Sequence, residues 1–398
     1  MLLMRNWLLS LLIVCFSASA AHADWAQTEQ QARGQTVYFN AWGGSDSVNR
    51  YLQWAAEQVQ RQYGITLKQV KITDAADVVQ RIRAEKQAGK KHNGSVDLLW
   101  VNGENFHHLK QEGLLYGPWA EHLPNWALVD KSKPVTTDFS VPTEGLEAPW
   151  GLAQLTFIAD RATTPTPPQS AAELLEFARR HPGQVTYPLP PDFHGVTFLK
   201  QLLLELAPNP AVLQQPVTPE QFAVATAPLW AYLDQLHPLA WRQGRSFPAS
   251  AAAMNNMLAD GELLLSLTFN PNEAASLVRQ QQLPPSAYGF GFRAGTIGNV
   301  HYLAIPFNAS AKAAAQVIAN FLLSPAAQRH KADLAVWGDP SVLTSLALAS
   351  ATSDATAKSV AAESQTTAKS AAVPVLPEPH VSWVEPLEKA WLQRYGAQ

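Results

Sequence analysis

The chain has 398 residues, with 29 Lys and Arg against 32 Asp and Glu, and a formal charge of −3. That balance argues against nucleic acid as a partner and gives no sign of attachment to a membrane surface. The only cysteine, Cys15, falls in an apolar leader, so a processed chain would hold no disulfide and no thiolate-based metal or redox centre.

Residues 1–23 read as a secretory signal. Arg5 supplies the positive start, Trp7 to Phe16 an apolar core, and Ala21-His22-Ala23 a small-x-small cleavage pattern. Cleavage after Ala23 would start the mature chain at Asp24 and move the charge to −4. About 375 residues remain, enough for two domains. No other stretch is long and apolar enough to span a bilayer, so the periplasm is the expected compartment. Proline (29 residues) predicts stiff loops, and tryptophan (13 residues) suits either a core or a stacking surface.

Val37 to Ala41 predicts a first strand, followed by Trp42-Gly43-Gly44-Ser45-Asp46 and a helix with Val48, Tyr51, Leu52, Ala55 and Val59 inward. Ser47 is the expected cap and Gly64 the stop. Ile65 to Ile72 predicts a strand, and Thr73-Asp74 opens a helix with Val78, Val79 and Ile82 inward. Val96 to Val101 is nearly all apolar, as expected of a strand covered on both faces. Asn102-Gly103-Glu104-Asn105 then leads into another helix. This alternation predicts an α/β fold with a parallel sheet flanked by helices.

Ala148 to Asp160 reads as a strand crossing out of the first lobe, and Pro165, Pro167 and Pro168 as a stiff connector. Ser170 and Glu173 form a capping box, and Pro182-Gly183 a stop. Val185 to Leu189 predicts a short strand, Phe198 to Leu206 a helix, Ser250 to Gly261 a capped helix and Glu262 to Phe269 a strand. Asn270, Pro271 and Glu273 read as cap, first-turn proline and third-position acid. Tyr302 to Ile305 is the expected return crossing, Ala309 to Leu323 a helix, and Ser324-Pro325 the start of another. Residues 349–373 are low-complexity Ala, Ser, Thr and Lys, an exposed insertion. Pro386 to Tyr395 predicts a C-terminal helix with Leu387, Trp391 and Leu392 inward.

Catalytic signatures are missing: no nucleophile elbow, no H-E-x-x-H, no phosphate-binding P-loop. His107 and His108 are adjacent on a helix and diverge by about 100°, so they read as polar surface and no metal site is expected. Candidate ligand contacts follow the predicted strands: Trp42, Gly43, Gly44 and Ser45; Asn102, Glu104 and Asn105; Trp150; Tyr187, Asp192 and Phe193; Asn270 and Glu273; Thr296 and Asn299. Thr156 and Arg293 lie near the crossings. Aromatic side chains beside the carboxylates Asp46, Glu104, Asp192 and Glu273, with Arg293 the sole cation, favour a flat or cationic organic solute, thiamine-like or polyamine-like. Helix N-termini keep an oxyanion open as the alternative. No cofactor is expected. The other class of function is an exported hydrolase, such as a glycosidase drawing a carboxylate pair from Glu104, Asp192 or Glu273.

Six stretches carry a family likeness: VYFNAWGGSDSVNRYLQWA at 37–55, SVDLLWVNGENFHHLK at 95–110, EAPWGLAQLTFIAD at 147–160, VTYPLPPDF at 185–193, GTIGNVHYLAIPFNASAKAAAQVIANFLLSPAAQ at 295–328 and PEPHVSWVEPLEKAWLQRYG at 377–396. In this order they resemble the periplasmic solute-binding proteins of bacterial ABC importers, the YnjB-type group in particular. The resemblance implies a two-lobe periplasmic-binding-protein fold of type II, each lobe a mostly parallel sheet flanked by helices, joined by hinge strands that close on a solute. It implies a first lobe of 24–150 plus 303–348, a second of 151–302, and a C-terminal helix at 374–398 that could sit on either. It also implies a monomeric, non-catalytic carrier that delivers a small-molecule solute to an inner-membrane permease with a cytoplasmic ATPase.

Overall fold

The computed structural model describes residues 25–350 and 373–396. The signal segment and nearly all of the 349–373 insertion lie outside the described residues.

The strands are β1 (Thr36–Trp42), β2 (Thr66–Ile72), β3 (Leu98–Val101), β4 (Thr137–Asp138), β5 (Val141–Pro142), β6 (Glu147–Gln154), β7 (Thr156–Asp160), β8 (Ser266–Thr268), β9 (Ala287–Phe290), β10 (Thr296–Ala304) and β11 (Val375–Leu376). The helices are α1 (Asp46–Tyr63), α2 (Ala75–Gln87), α3 (Gly103–Gln111), α4 (Ala171–Arg180), α5 (Phe193–Leu206), α6 (Pro219–Leu236), α7 (Ala251–Ala259), α8 (Glu273–Arg279), α9 (Lys312–Leu322), α10 (Pro325–Ala332), α11 (Ser345–Ser350) and α12 (Val384–Tyr395).

The first lobe is a six-stranded sheet in the order β11-β10-β3-β1-β2, with β6 also on β10. β1 is parallel to β2 and β3, whereas β10 runs antiparallel to β3 and β6. Burial explains the apolar run of β3. Leu98 joins a core with Val48, Tyr51 and Leu52 of α1 and Ile318 and Leu322 of α9. Leu99 and Val101 join a separate core with Val78 and Ile82 of α2 and Phe106 and Leu109 of α3. Ser45, rather than Ser47, is the N-cap of α1, and Gly64 closes that helix in the left-handed region at φ 68°.

The second lobe departs from the expected parallel sheet. Its three strands, in the order β8-β7-β9, are antiparallel throughout. Residues 185–189 join no ladder: the Val185 and Leu189 backbones bond to Trp241 and Pro248 instead. Only Ser266–Thr268 of the expected 262–269 strand pairs. A core of Leu174, Phe198, Leu203, Leu233 and Leu267 fills this lobe.

The crossing predicted as one strand is two, β6 and β7, with Leu155 between them donating its N–H to Ile297 at 2.8 Å. The return begins earlier than expected, since β10 already pairs with first-lobe strands from Thr296. The C-terminal helix packs on the second lobe, burying Leu387, Trp391 and Tyr395 there. Leu392, expected inward, is 42% exposed because it lies off that apolar stripe.

Candidate functional site

Trp42 ends β1 half-buried, and its indole lies so close over the following loop that a Cβ on Gly44 would meet the ring at 2.5 Å. In this loop the Gly43 N–H donates to the Ile72 carbonyl at 3.0 Å, and the hydroxyl of Ser45 accepts from Val48 in the first turn of α1. After β3, Asn102 is the backbone N-cap of α3 and its side chain makes no cap bond. Gly103 has φ +61°, and a Cβ there would strike the Phe139 ring at 2.7 Å, so only glycine fits. Its N–H donates to the buried carboxylate of Asp138 at 2.6 Å. Glu104 and Asn105 follow, half-buried, and burial raises the Glu104 carboxyl while His108 and Lys200 oppose the rise.

From the second lobe, Asp192 caps α5 through the N–H groups of His194 (2.9 Å) and Gly195 (3.2 Å). Phe193 stands edge-on to Phe269 at 5.1 Å. Asn270 does not cap α8 as predicted. The N-cap is Asn272, and the Asn270 side chain accepts from the Asn272 N–H and donates to the Trp337 carbonyl of the first lobe. Glu273 is raised by burial, against the Asn270 hydrogen bond and the His194 charge.

Two seams join the lobes. Along α8, the Asn272 amide donates to the Gly338 carbonyl at 2.8 Å and the Ser276 hydroxyl to the Leu334 carbonyl at 3.0 Å. On the other seam, the Lys200 ammonium of α5 binds Glu378 at 2.6 Å. It also lies 4.5 Å from the ring of Phe139, a first-lobe residue, and 5.8 Å from that of Phe193. Asn299 donates to the other oxygen of Glu378 at 3.0 Å. Val381 packs with Phe106 and Leu109 of the first lobe, while Trp383 enters the second-lobe core, so the C-terminal segment bridges both.

Three candidates lie in the interior, and Arg293 lies on the surface. Trp150 is fully buried in the first-lobe core, edge-on to Trp100 at 4.9 Å. Tyr187 is fully buried in the second lobe, bonded to His237 at 2.7 Å and Trp391 at 2.8 Å. Thr296 is buried at the hinge, accepting from Gln154. Arg293 pairs with Glu173 on the surface. Near the crossings, Thr156 bonds back to the Gln154 carbonyl, and Asp46 is exposed in the first turn of α1. Asp138, Phe139, Lys200 and Glu378 escaped the sequence reading. Lys200 alone carried a signal, a lysine inside the apolar run FLKQLLL.

Two of the three carboxylates named for a hydrolytic pair have partners within the chain. Asp192 is a helix cap and Glu273 bonds to Asn270. Comparison with known proteins agrees. Residues 54–363 match the family described as bacterial extracellular solute-binding protein. Protein YnjB of Escherichia coli (strain K12) is 55% identical over 391 residues, 98% of each chain. The periplasmic binding protein AfuA from Actinobacillus pleuropneumoniae, solved with fructose-6-phosphate, has a similar fold (TM-score 0.62, 14% identity, covering 92% of this chain and 100% of that one). So does the spermidine/putrescine substrate-binding protein PotD of Streptococcus pneumoniae (TM-score 0.55, 14% identity, 75% of this chain and 81% of that one). The hydrolase alternative finds no support, and the two lobes with their hinge strands are those of a type II periplasmic binding protein. On its sequence match and its fold together, the chain belongs to the bacterial extracellular solute-binding proteins.

Proposed function

We propose that this protein captures a cationic organic solute between its lobes and hands it to an inner-membrane ABC permease driven by a cytoplasmic ATPase. It would do so as a non-catalytic periplasmic monomer, released by cleavage after Ala23. The lobes would be 24–150 with 303–348 and 151–302, closing about the β6–β7 and β9–β10 crossings.

One observation carries the choice of solute: at the N-termini of α1, α3 and α5 an oxygen of the chain itself already accepts a first-turn N–H. Ser45 accepts from the first turn of α1, Asp138 from the first residue of α3 and Asp192 from the first turn of α5. An oxyanion needs those N–H groups. What is left over is acidic: Glu104 and Glu273 are raised by burial. Lys200 already has Glu378 as counter-ion. Phe193 and Trp42 add faces for stacking and cation–π contact. The fold likeness to a spermidine/putrescine carrier is in keeping with this reading, and that to a sugar-phosphate carrier shows that fold alone does not choose.

The test is native mass spectrometry of gently purified processed protein, followed by thermal-shift screening with thiamine, polyamines, sugars and oxyanions. Co-purification of an organic cation, or stabilisation by cations alone, is expected. Stabilisation by oxyanions or sugars alone would overturn the solute class.

A further inference from the structure

We propose that His301 is a solute contact, with Asp339 as its positioning residue: the imidazole Nδ1 accepts an N–H of the cationic solute. The inference rests on the cationic reading above and adds which atom meets the solute.

The sheet places His301 at the crevice. β10 runs antiparallel to β3, with Tyr302 opposite Val101 and Leu303 opposite Trp100. One place earlier, His301 comes level with Asn102, just past the carboxyl end of β3, where an α/β sheet meets its ligand. On the other side of β10, the β6 register shifts between His301 and Tyr302, and such an irregularity re-aims a side chain. The His301 ring stacks on that of Trp337 (6.3 Å, 19°) and meets that of Trp100 edge-on at 5.0 Å. The Trp337 carbonyl accepts from the Asn270 amide of the second lobe at 3.3 Å, and the same amide donates to Glu273 at 3.4 Å. A chain of contacts thus runs from His301 to two second-lobe candidates.

Asp339 decides which imidazole nitrogen is left open. Its carboxylate is buried and bonded by Lys331 and, at 3.1 Å, by His301 Nε2. Burial opposes its charge, but Lys331, then His301, hold the carboxyl below its ordinary value. An ionised carboxylate only accepts, so Nε2 carries a proton. A neutral imidazole then keeps its lone pair at Nδ1. Nδ1 has no partner among the described residues and is not sealed from solvent, the side chain being 13% exposed. Lys331, the nearby cation, is taken up by Asp339 and by the Pro340 carbonyl at 3.0 Å. Gly151 of β6 lies opposite His301, and a Cβ there would strike the Asp339 carboxylate and come within 2.6 Å of the imidazole. A glycine in the crossing strand therefore makes room for the pair. An acceptor left open beside two indole rings suits a solute that brings both an N–H and a positive charge.

The test is imidazole nitrogen-15 NMR of the processed chain at pH 8, with putrescine and thiamine as probes, and calorimetry of the same probes. The His301 signals are identified by their loss in His301→Phe, or in His301→Gln if the first variant does not fold. The solute-free protein is expected to hold the Nε2–H tautomer, and Asp339→Asn to relax that preference. Putrescine or thiamine should move the Nδ1 resonance and leave the Nε2 resonance in place. His301→Phe, checked for folding by circular dichroism, should bind the probe roughly tenfold more weakly. The Nδ1–H tautomer in the solute-free protein would overturn the role of Asp339 and the proposal with it. An unmoved Nδ1 resonance on binding, or equal affinity of wild type and His301→Phe, would overturn the contact and leave the solute class standing. Binding of an oxyanion or a sugar in place of both cations would overturn the solute class itself.

Discussion

The carboxylate of Asp138 accepts the backbone N–H of Gly103 at 2.6 Å, so the amide that opens α3 is bound by the chain itself. The two residues are 35 positions apart. The hairpin β4–β5 that carries Asp138 thus fixes the loop holding Asn102, Glu104 and Asn105. Asp138→Ala is expected to cost about 1–3 kcal/mol by leaving that buried N–H unpaired. Urea unfolding of wild type and variant measures it. An unchanged midpoint would show that the amide finds another acceptor.

Glu147 is buried with neither carboxyl oxygen bonded, and burial, then Asp138, raises it well above the usual carboxylate range. A carboxyl raised on folding binds its proton more tightly in the native state. It therefore costs nothing below its unfolded value, and an increasing amount as pH rises from there toward the folded value. Glu147→Gln removes this cost. The variant should match wild type near pH 4 and be more stable near pH 8, by about 1–3 kcal/mol. Denaturant curves at the two pH values check it, and a stability difference that shrinks as pH rises would contradict the assignment.

Lys200 and Glu378 are a buried pair at 2.6 Å, with side chains 2% and 3% exposed. Removing one member leaves the other desolvated. Lys200→Met alone should cost about 3–5 kcal/mol, and Lys200→Met with Glu378→Gln should recover much of that loss. A double-mutant cycle of unfolding free energies reads the coupling. Additive losses would mean that the two groups act separately.

The bonds from Asn272 and Ser276 to the Gly338 and Leu334 carbonyls join the lobes without using a candidate ligand contact. Asn272→Ala with Ser276→Ala should shift the population toward an opened form and weaken solute binding several-fold, by about 0.5–1.5 kcal/mol for each bond lost. Small-angle X-ray scattering of the ligand-free double variant checks this. A profile identical to wild type would assign these bonds no part in closure.

Legibility in the sequence followed local physics. The inward face of α1, the caps at Ser170 and Ser250, and the doubly covered β3 all declare themselves by periodicity or by side-chain chemistry within a few residues. Failures arose where a partner distant in sequence decided the outcome. Residues 185–189 have strand-like composition, but their backbone groups meet loops instead of a neighbouring strand. Trp150 and Tyr187 have the composition of stacking residues, yet both sit inside cores, where rings from remote segments close around them. The candidate site was read from the sequence as a set of loops after strands. The seam of Phe139, Lys200 and Glu378 was not, because it is assembled from three segments that share no spacing.

The bridging position of the C-terminal segment has a consequence for how the protein matures. Val381 belongs to the first lobe's interior, while Trp383, Leu387 and Trp391 belong to the second's. A chain exported from its amino end presents these residues after the segments of both lobes, so neither lobe can finish burying its interior until this segment arrives. Assembly of the cleft thereby waits on a segment that follows both lobes, and a chain clipped ahead of Val381 would lose a bridge between its lobes together with part of both interiors.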